Sequence, residues 1–346
     1  MDIMRILATF LVVFNHTGDF GFSYFRRFGS HTIAYWGYML FPVMAKVSVP
    51  LFFMISGALL LGREDESRKK MLLRWIKIFA ALLVFSCVSY AQQIYLGNEV
   101  FDIKHFVFVF FNNTWMNAYW YLYAYLGYLL TLPLLRKIAK SLTDSNYRYM
   151  IILVLILTGY LPMILYVVSK GTFSLNTSFK IDWLASSIFF FPLLGYYLER
   201  RVPVEKISAP RLLSLWGVNG VSILFTCYVT HVNNALTGEF PQTFIQNLVA
   251  VNAICIYLTL KKLMSGKELA KPASLILSEV GACTFGMYLL HGMLLRAPKI
   301  SLYSKISGIY AYIPITAISI RCIEVMVIAG IVTFILRRIP GVKKIL

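Results

Sequence analysis

Long apolar runs separated by short basic clusters repeat along the whole chain. The runs lie at about 3–19, 37–61, 72–95, 118–135, 149–168, 183–199, 211–230, 243–260, 275–295 and 311–336. Most approach the roughly 20 apolar residues that a membrane span requires. The pattern predicts an all-α fold, a polytopic membrane bundle of about ten transmembrane helices, because hydrocarbon leaves no other way to satisfy a spanning backbone of this kind. A further apolar stretch, HFVFVFF at 105–111, is too short to cross and reads as an interfacial or re-entrant piece. No soluble region or low-complexity tract interrupts the runs, so 1–346 reads as a single transmembrane domain. The first run lacks a small-residue cleavage site and carries Arg5 and His16, which marks it as a span that stays.

Composition agrees with this reading. Hydrophobic residues make up 59% of the 346 positions and charged residues only 14%, whereas a soluble domain is about a quarter charged. The net charge of +18 would suggest nucleic acid in a soluble protein. Here it reads as the positive-inside pattern, with no nucleic-acid partner. Nineteen Lys and Arg fall in one set of loops (63–70, 136–148, 200–206, 261–271 and 337–344), and eight in the opposite set (26–27, 104, 170–180 and 296–305). The richer set is assigned to the cytoplasm, which places both termini inside in a multi-pass plasma-membrane protein. The five cysteines sit inside apolar segments without metal-ligand spacing, so no metal site is expected.

Charged groups inside spans are costly, at roughly 2.5–3.5 kcal/mol near the bilayer centre, and each needs a reason. Arg5 and His16 are eleven residues apart on one helix face, about 16 Å along the axis. Asp19 shares that face and is expected to fix the imidazole tautomer. Two readings fit: a polar seam ending in a general base, or a snorkelling arginine with a histidine bonded to a neighbouring helix. Lys46 sits mid-span and is expected to line a polar cavity. Arg74 and Lys77 begin the third span, where snorkelling and anion binding both account for them. Arg321 and Glu324, at i and i+3, read as an internal ion pair. His291 reads from its position alone as an interfacial histidine.

The order of these residues resembles a known family. The Arg-x10-His spacing within RILATFLVVFNH is similar to the opening signature of the acyltransferase-3 family of membrane acyltransferases. VPLFFMISGALLL (49–61), AYWYLYAYLGYLLTLPLLRK (118–137) and SEVGACTFGMYLLH (278–291) resemble its later segments in the same order. The resemblance implies a ten-helix core that takes an acyl group, usually acetyl, from cytoplasmic acyl-coenzyme A. It places that group on a hydroxyl of an envelope glycan or glycolipid on the far side, in the manner of an O-acetyltransferase. By this resemblance His16 is the base or acyl carrier, and Arg5 and Arg74, with Lys77, hold acetyl-CoA or another acyl-CoA. His291, Tyr288, Trp120, Tyr121 and Lys46 fall to the acceptor. The rival expectation is a small-molecule or lipid-linked-glycan exporter, which would also use kinked spans and intramembrane charges.

Overall fold

A computed structural model describes residues 1–63, 67–176, 179, 181–238, 248–267, 269–297 and 314–345. All regular structure among them is helical, with no strand. Six helices are long and apolar enough to cross a membrane, and they cover Ile33–Leu60, Lys69–Tyr95, Asp144–Val168, Ala209–Thr237, Lys271–Leu295 and Pro314–Leu336. The other four expected spans fall on helices that are shorter or less apolar. Residues 243–247 of the eighth expected span and 311–313 of the tenth lie outside the described residues.

Helix α1 runs over Asp2–Asn15 and stops at His16, three residues before the expected end. Thr17 turns the chain there: its hydroxyl donates to Phe14 O at 2.6 Å and accepts from Phe22 N at 2.8 Å. Gly18 follows with φ +59°, a conformation that favours glycine. The second expected span is two helices, α2 (Ile33–Ala45) and α3 (Ser48–Leu60), broken at Lys46–Val47. Pro50 has no N–H to donate to the carbonyl of Lys46, which ends the helical ladder at the break. Side-chain amides take up the freed carbonyls. Asn15 donates to Ala45 O at 3.0 Å and to Ser48 Oγ at 2.9 Å, and Asn252 donates to Met44 O at 3.1 Å.

Helix α4 (Arg68–Tyr95) is capped by Ser67, whose hydroxyl accepts from Lys70 N. The short helix α5 (Ile103–Asn112) packs Phe106 and Phe110 inward and leaves Phe108 and Phe111 exposed. At ten residues it is too short to cross. Helix α6 (Trp120–Ser141) runs six residues beyond the expected span and so carries Arg136 into the bundle. Its four tyrosines, and Arg136, Lys137 and Lys140 toward its end, lower its hydropathy, which is why it resembles a span less than its length suggests. Helices α7 (Asp144–Val154) and α8 (Leu161–Val168) are joined by a π turn, Leu155–Tyr160. Pro162 cannot bond back to Thr158, and the ladder widens there.

The sixth expected span is also broken. A single turn, α9 (Asp182–Ala185), precedes α10 (Phe190–Arg200). Helices α11 (Ala209–Thr237), α12 (Val249–Met264), α13 (Lys271–Leu295), α14 (Pro314–Leu336) and a terminal turn α15 (Pro340–Lys343) complete the chain. The centre of the bundle is α1, packed against α2, α3, α13 and α14.

Helix α10 lies buried against α3 with almost no side chain between the two axes. A Cβ on Gly57 would stand 1.9 Å from Pro192 O, and one on Gly195 would stand 2.0 Å from Met54 O. Small residues let membrane helices approach this closely. Gly57→Val or Gly195→Val must therefore push the helices apart, and each is expected to cost about 1–3 kcal/mol or more. The purified protein should show a lowered Tm and poorer recovery as a monodisperse species. Gly220→Ala, which meets open space, should leave both unchanged.

The basic loops meet one another at one end of the bundle. Arg201 pairs with Asp144 at 3.2 Å. Lys261 donates to the carbonyls of Leu198, Glu199 and Val202 at 2.8, 2.8 and 3.1 Å. Arg136, 2% exposed, donates to Leu60 O at 3.0 Å. The expected ion pair of α14 is formed, Arg321 to Glu324 at 2.8 Å, and Arg321 also donates to Leu294 O at 3.0 Å.

Candidate active site

Two cavities lie back to back in the bundle. The first, about 390 Å³, is at the end where the basic loops meet. Arg5, Arg63, Arg74 and Lys77 line it, and no acidic residue does among the described lining. Arg5 comes from the first turns of α1, Arg74 and Lys77 from the first turns of α4, and Arg63 from the turn after α3. Asp2 holds Arg5 at 2.8 Å, so one carboxylate stands at the edge of the cluster. Ser56, Tyr125 and Thr284 add hydroxyls, and Phe52, Ile55 and Leu59 make the remainder apolar. A cationic mouth leading into an apolar slot suits a ligand with a phosphorylated head and a slender tail.

The second cavity, about 460 Å³, is lined by Asn15, His16, Lys46, Trp120, Tyr121, Tyr288 and others. The first residues of four helices longer than one turn line it, Ser48 of α3, Trp120 of α6, Phe190 of α10 and Val249 of α12, together with Asp182, which opens the single turn α9. Three of these, α3, α10 and α12, are among the short helices. They are short because they begin at the cavity inside the bundle. Helix N-termini carry partial positive charge, so this arrangement favours negative charge developing in the cavity. Lys46, at the break between α2 and α3, adds to it and lies 4.6 Å over the Phe22 ring. Val154 and Thr158 bring the π turn to the same wall.

Tyr121 and Tyr288 line both cavities and form the wall between them, with ring centroids 5.5 Å apart. Two reciprocal hydrogen bonds pin this wall. The Tyr288 hydroxyl donates to Ala118 O, and the Tyr119 hydroxyl donates to Leu289 O at 2.8 Å. They fix the start of α6 against the middle of α13.

The structure brings together Arg5, Arg74 and Lys77 in one cavity, and His16, Lys46, Trp120, Tyr121 and Tyr288 in the other. Two residues differ from expectation. Asp19 does not hold the imidazole. Because α1 ends at Asn15, the i to i+3 relation is lost, and Asp19 sits exposed on the turn Gly18–Phe20 with no hydrogen bond to His16 among the described residues. His291 is neither interfacial nor part of the second cavity's lining. It is fully buried on α13, with its ring 5.2 Å from that of His16 and 5.6 Å from that of Tyr288. Arg63 and Asn15 were not singled out by the sequence. Arg63 follows Gly62 and so reads as a loop charge. Asn15 is a polar residue in an apolar run, the same signal that marks His16 beside it.

The described residues thus form a helical bundle with six membrane-length helices and two cavities that share one wall. The acyltransferase-3 family model, described as an acyltransferase domain, matches residues 1–335, and the chain belongs to this family. No curated protein and no solved structure matches the chain.

Proposed function

We propose that the protein moves an acyl group, acetyl in the first instance, from cytoplasmic acyl-coenzyme A to a hydroxyl of an envelope glycan or glycolipid on the opposite side. The observation that carries this reading is the pair of cavities sharing the Tyr121–Tyr288 wall, one cationic and one holding His16. The positive-inside bias supports placing the cationic cavity, and both termini, at the cytoplasm. In this reading the chain crosses ten times. The short helices α1, α10 and α12 cross as parts of a packed bundle, where irregular backbone lines a cavity and is not exposed to lipid.

The nucleotide phosphates of the donor sit on Arg5, Arg63, Arg74 and Lys77, with arginine suited to bidentate contact. The pantetheine arm runs along α1 toward His16, over a distance of about 16 Å from Arg5, which matches its extended length. The thioester end passes between the Tyr121 and Tyr288 side chains into the cavity that holds His16, and the acceptor enters that cavity from its other side. His16 takes the proton of the acceptor hydroxyl as its oxygen attacks the thioester carbonyl. The carbon–sulfur bond breaks and the thiolate leaves, to receive that proton. Lys46 and the converging helix N-termini stabilise the charge that develops on the carbonyl oxygen. Trp120 offers an aromatic face to a sugar ring. In a variant of the same route, His16 carries the acyl group covalently before passing it on.

The test is incubation of the purified protein with radiolabelled acetyl-CoA and an envelope extract. Label should move to a glycan or glycolipid fraction and be released by mild base, as an ester is. Movement of an unmodified solute across reconstituted vesicles without any acyl donor, and no label transfer, would favour an exporter instead.

A further inference from the structure

The buried histidine on α13 has a bonding deficit that the mechanism above leaves unused. His291 is fully buried. Its Nδ1 lies 2.5 Å from Tyr288 O. A carbonyl oxygen only accepts, so Nδ1 carries the proton and Nε2 is a bare lone pair. That Nε2 is also buried and has no hydrogen-bond partner. An unmet buried acceptor is costly, and such a group in a folded protein asks for a reason. The His16 ring faces it with a centroid separation of 5.2 Å and a tilt of 48°. The two rings are in contact without a hydrogen bond in this structure, and a rotation of the His16 ring would bring one of its N–H groups to that lone pair.

We propose that His291 is the positioning residue of His16: its Nε2 accepts the N–H of His16 and thereby turns the other ring nitrogen of His16 toward the acceptor hydroxyl. This is the role that the sequence suggested for Asp19 and that the structure leaves vacant. The proposal rests on His16 being the base of the transfer described above. The proton balance is simple. His16 gains the acceptor's proton on its cavity-facing nitrogen while its other N–H stays bonded to His291. The same proton then goes to the departing thiolate, and His291 neither gains nor loses a proton at any step. A neutral acceptor also suits this depth, where a second carboxylate beside His16 would add a buried charge to desolvate. The carbonyl of Tyr288 sets the His291 tautomer, and the Tyr288 hydroxyl is itself anchored on Ala118 O. The wall between the cavities and the orientation of the base are thus fixed by one stretch of α13, Tyr288–His291.

Two substitutions separate this role from mere packing. In His291→Asn the side-chain amide N–H takes the place of Nδ1–H on Tyr288 O, while the acceptor at the Nε2 position is lost. In His291→Gln the longer side chain puts an amide oxygen near the Nε2 position. The purified variants are assayed with labelled acetyl-CoA and envelope extract, with kcat and KM measured separately. His291→Asn should lose kcat by roughly 10–100-fold, the size of effect seen when the group orienting a metal-bound histidine is removed. Donor KM should stay unchanged, and His291→Gln should recover a clear part of the loss. Wild-type kcat in His291→Asn, or equal loss in both variants, overturns the proposal. A second measurement needs no variant to fold: NMR of wild-type protein labelled with ¹⁵N-histidine, in lipid, should show His291 with a protonated Nδ1 and a bare Nε2. An Nε2-protonated ring would leave His16 without an acceptor and overturn the proposal too. Failure of the function itself would look different, as wild-type protein with no transfer from acyl-coenzyme A to any acceptor.

Discussion

His16→Ala is expected to abolish acyl transfer while leaving a folded, membrane-inserted protein. General-base catalysis contributes typically about 10²–10⁴-fold, and a covalent acyl carrier would contribute more, so turnover should fall at least a hundredfold. The fold should tolerate the change. His16 is the residue after α1, and its imidazole makes no hydrogen bond among the described residues. Its ring lies against that of His291, and losing that contact leaves the packing of α1 unchanged. Deleting it enlarges a cavity that already exists and leaves the apolar side chains of α1, which face α3, α13 and α14, in place. Size-exclusion behaviour and Tm should therefore match wild type, and single-turnover assays with labelled acetyl-CoA should show no product. Turnover retained within a few-fold would remove His16 from the chemistry. It would also remove the seam along α1 as the route of the donor.

The second large effect concerns donor binding. Arg5 and Arg74 come from different helices and converge on one cavity with Arg63 and Lys77. A hydrogen bond to a charged group contributes about 1.5–3 kcal/mol. Arg5 already has a partner in Asp2 and is about one-third exposed, so its share lies at the low end. The combined Arg5→Gln and Arg74→Gln variant should raise the KM for acyl-coenzyme A by roughly 10–100-fold. The KM for the acceptor should hardly move, because the two cavities are separated by the tyrosine wall. Added salt should weaken wild-type donor binding and affect the variant less. Equal losses for donor and acceptor would mean that these arginines hold the bundle together and do not bind phosphate. Lysine replacements should recover part of the affinity, since a point charge substitutes incompletely for a planar fork.

The contrast between His16 and Asp19 shows where sequence reading stops. Both lie on one face of an uninterrupted helix over 3–19, and the spacing alone joins them. Thr17 and Gly18 end that helix after Asn15, and one turn of lost register puts Asp19 in solvent. The group that does face His16 is His291, 275 positions later by number. No local pattern can announce such a contact, because it depends on how α13 crosses α1. The same holds for the wall between the cavities. Tyr121 and Tyr288 each read as one aromatic residue in an apolar run, and their role comes from being opposed at 5.5 Å.

What the sequence alone determined is the material. Apolar runs of spanning length, sparse charge and an uneven distribution of lysine and arginine require a helical membrane bundle, because hydrocarbon penalises every unpaired backbone group and every charge without a reason. Those same penalties made Arg5, His16, Lys46 and Arg74 conspicuous. Tertiary structure alone decided how many of the runs are long helices and what the charged residues meet. Spans two and six break, at Lys46–Val47 and at Ser186–Phe189, and at the first break side-chain amides of Asn15 and Asn252, from distant helices, take up the carbonyls it exposes. Hydropathy records how much a segment dislikes water, and it does not record which neighbour will satisfy it.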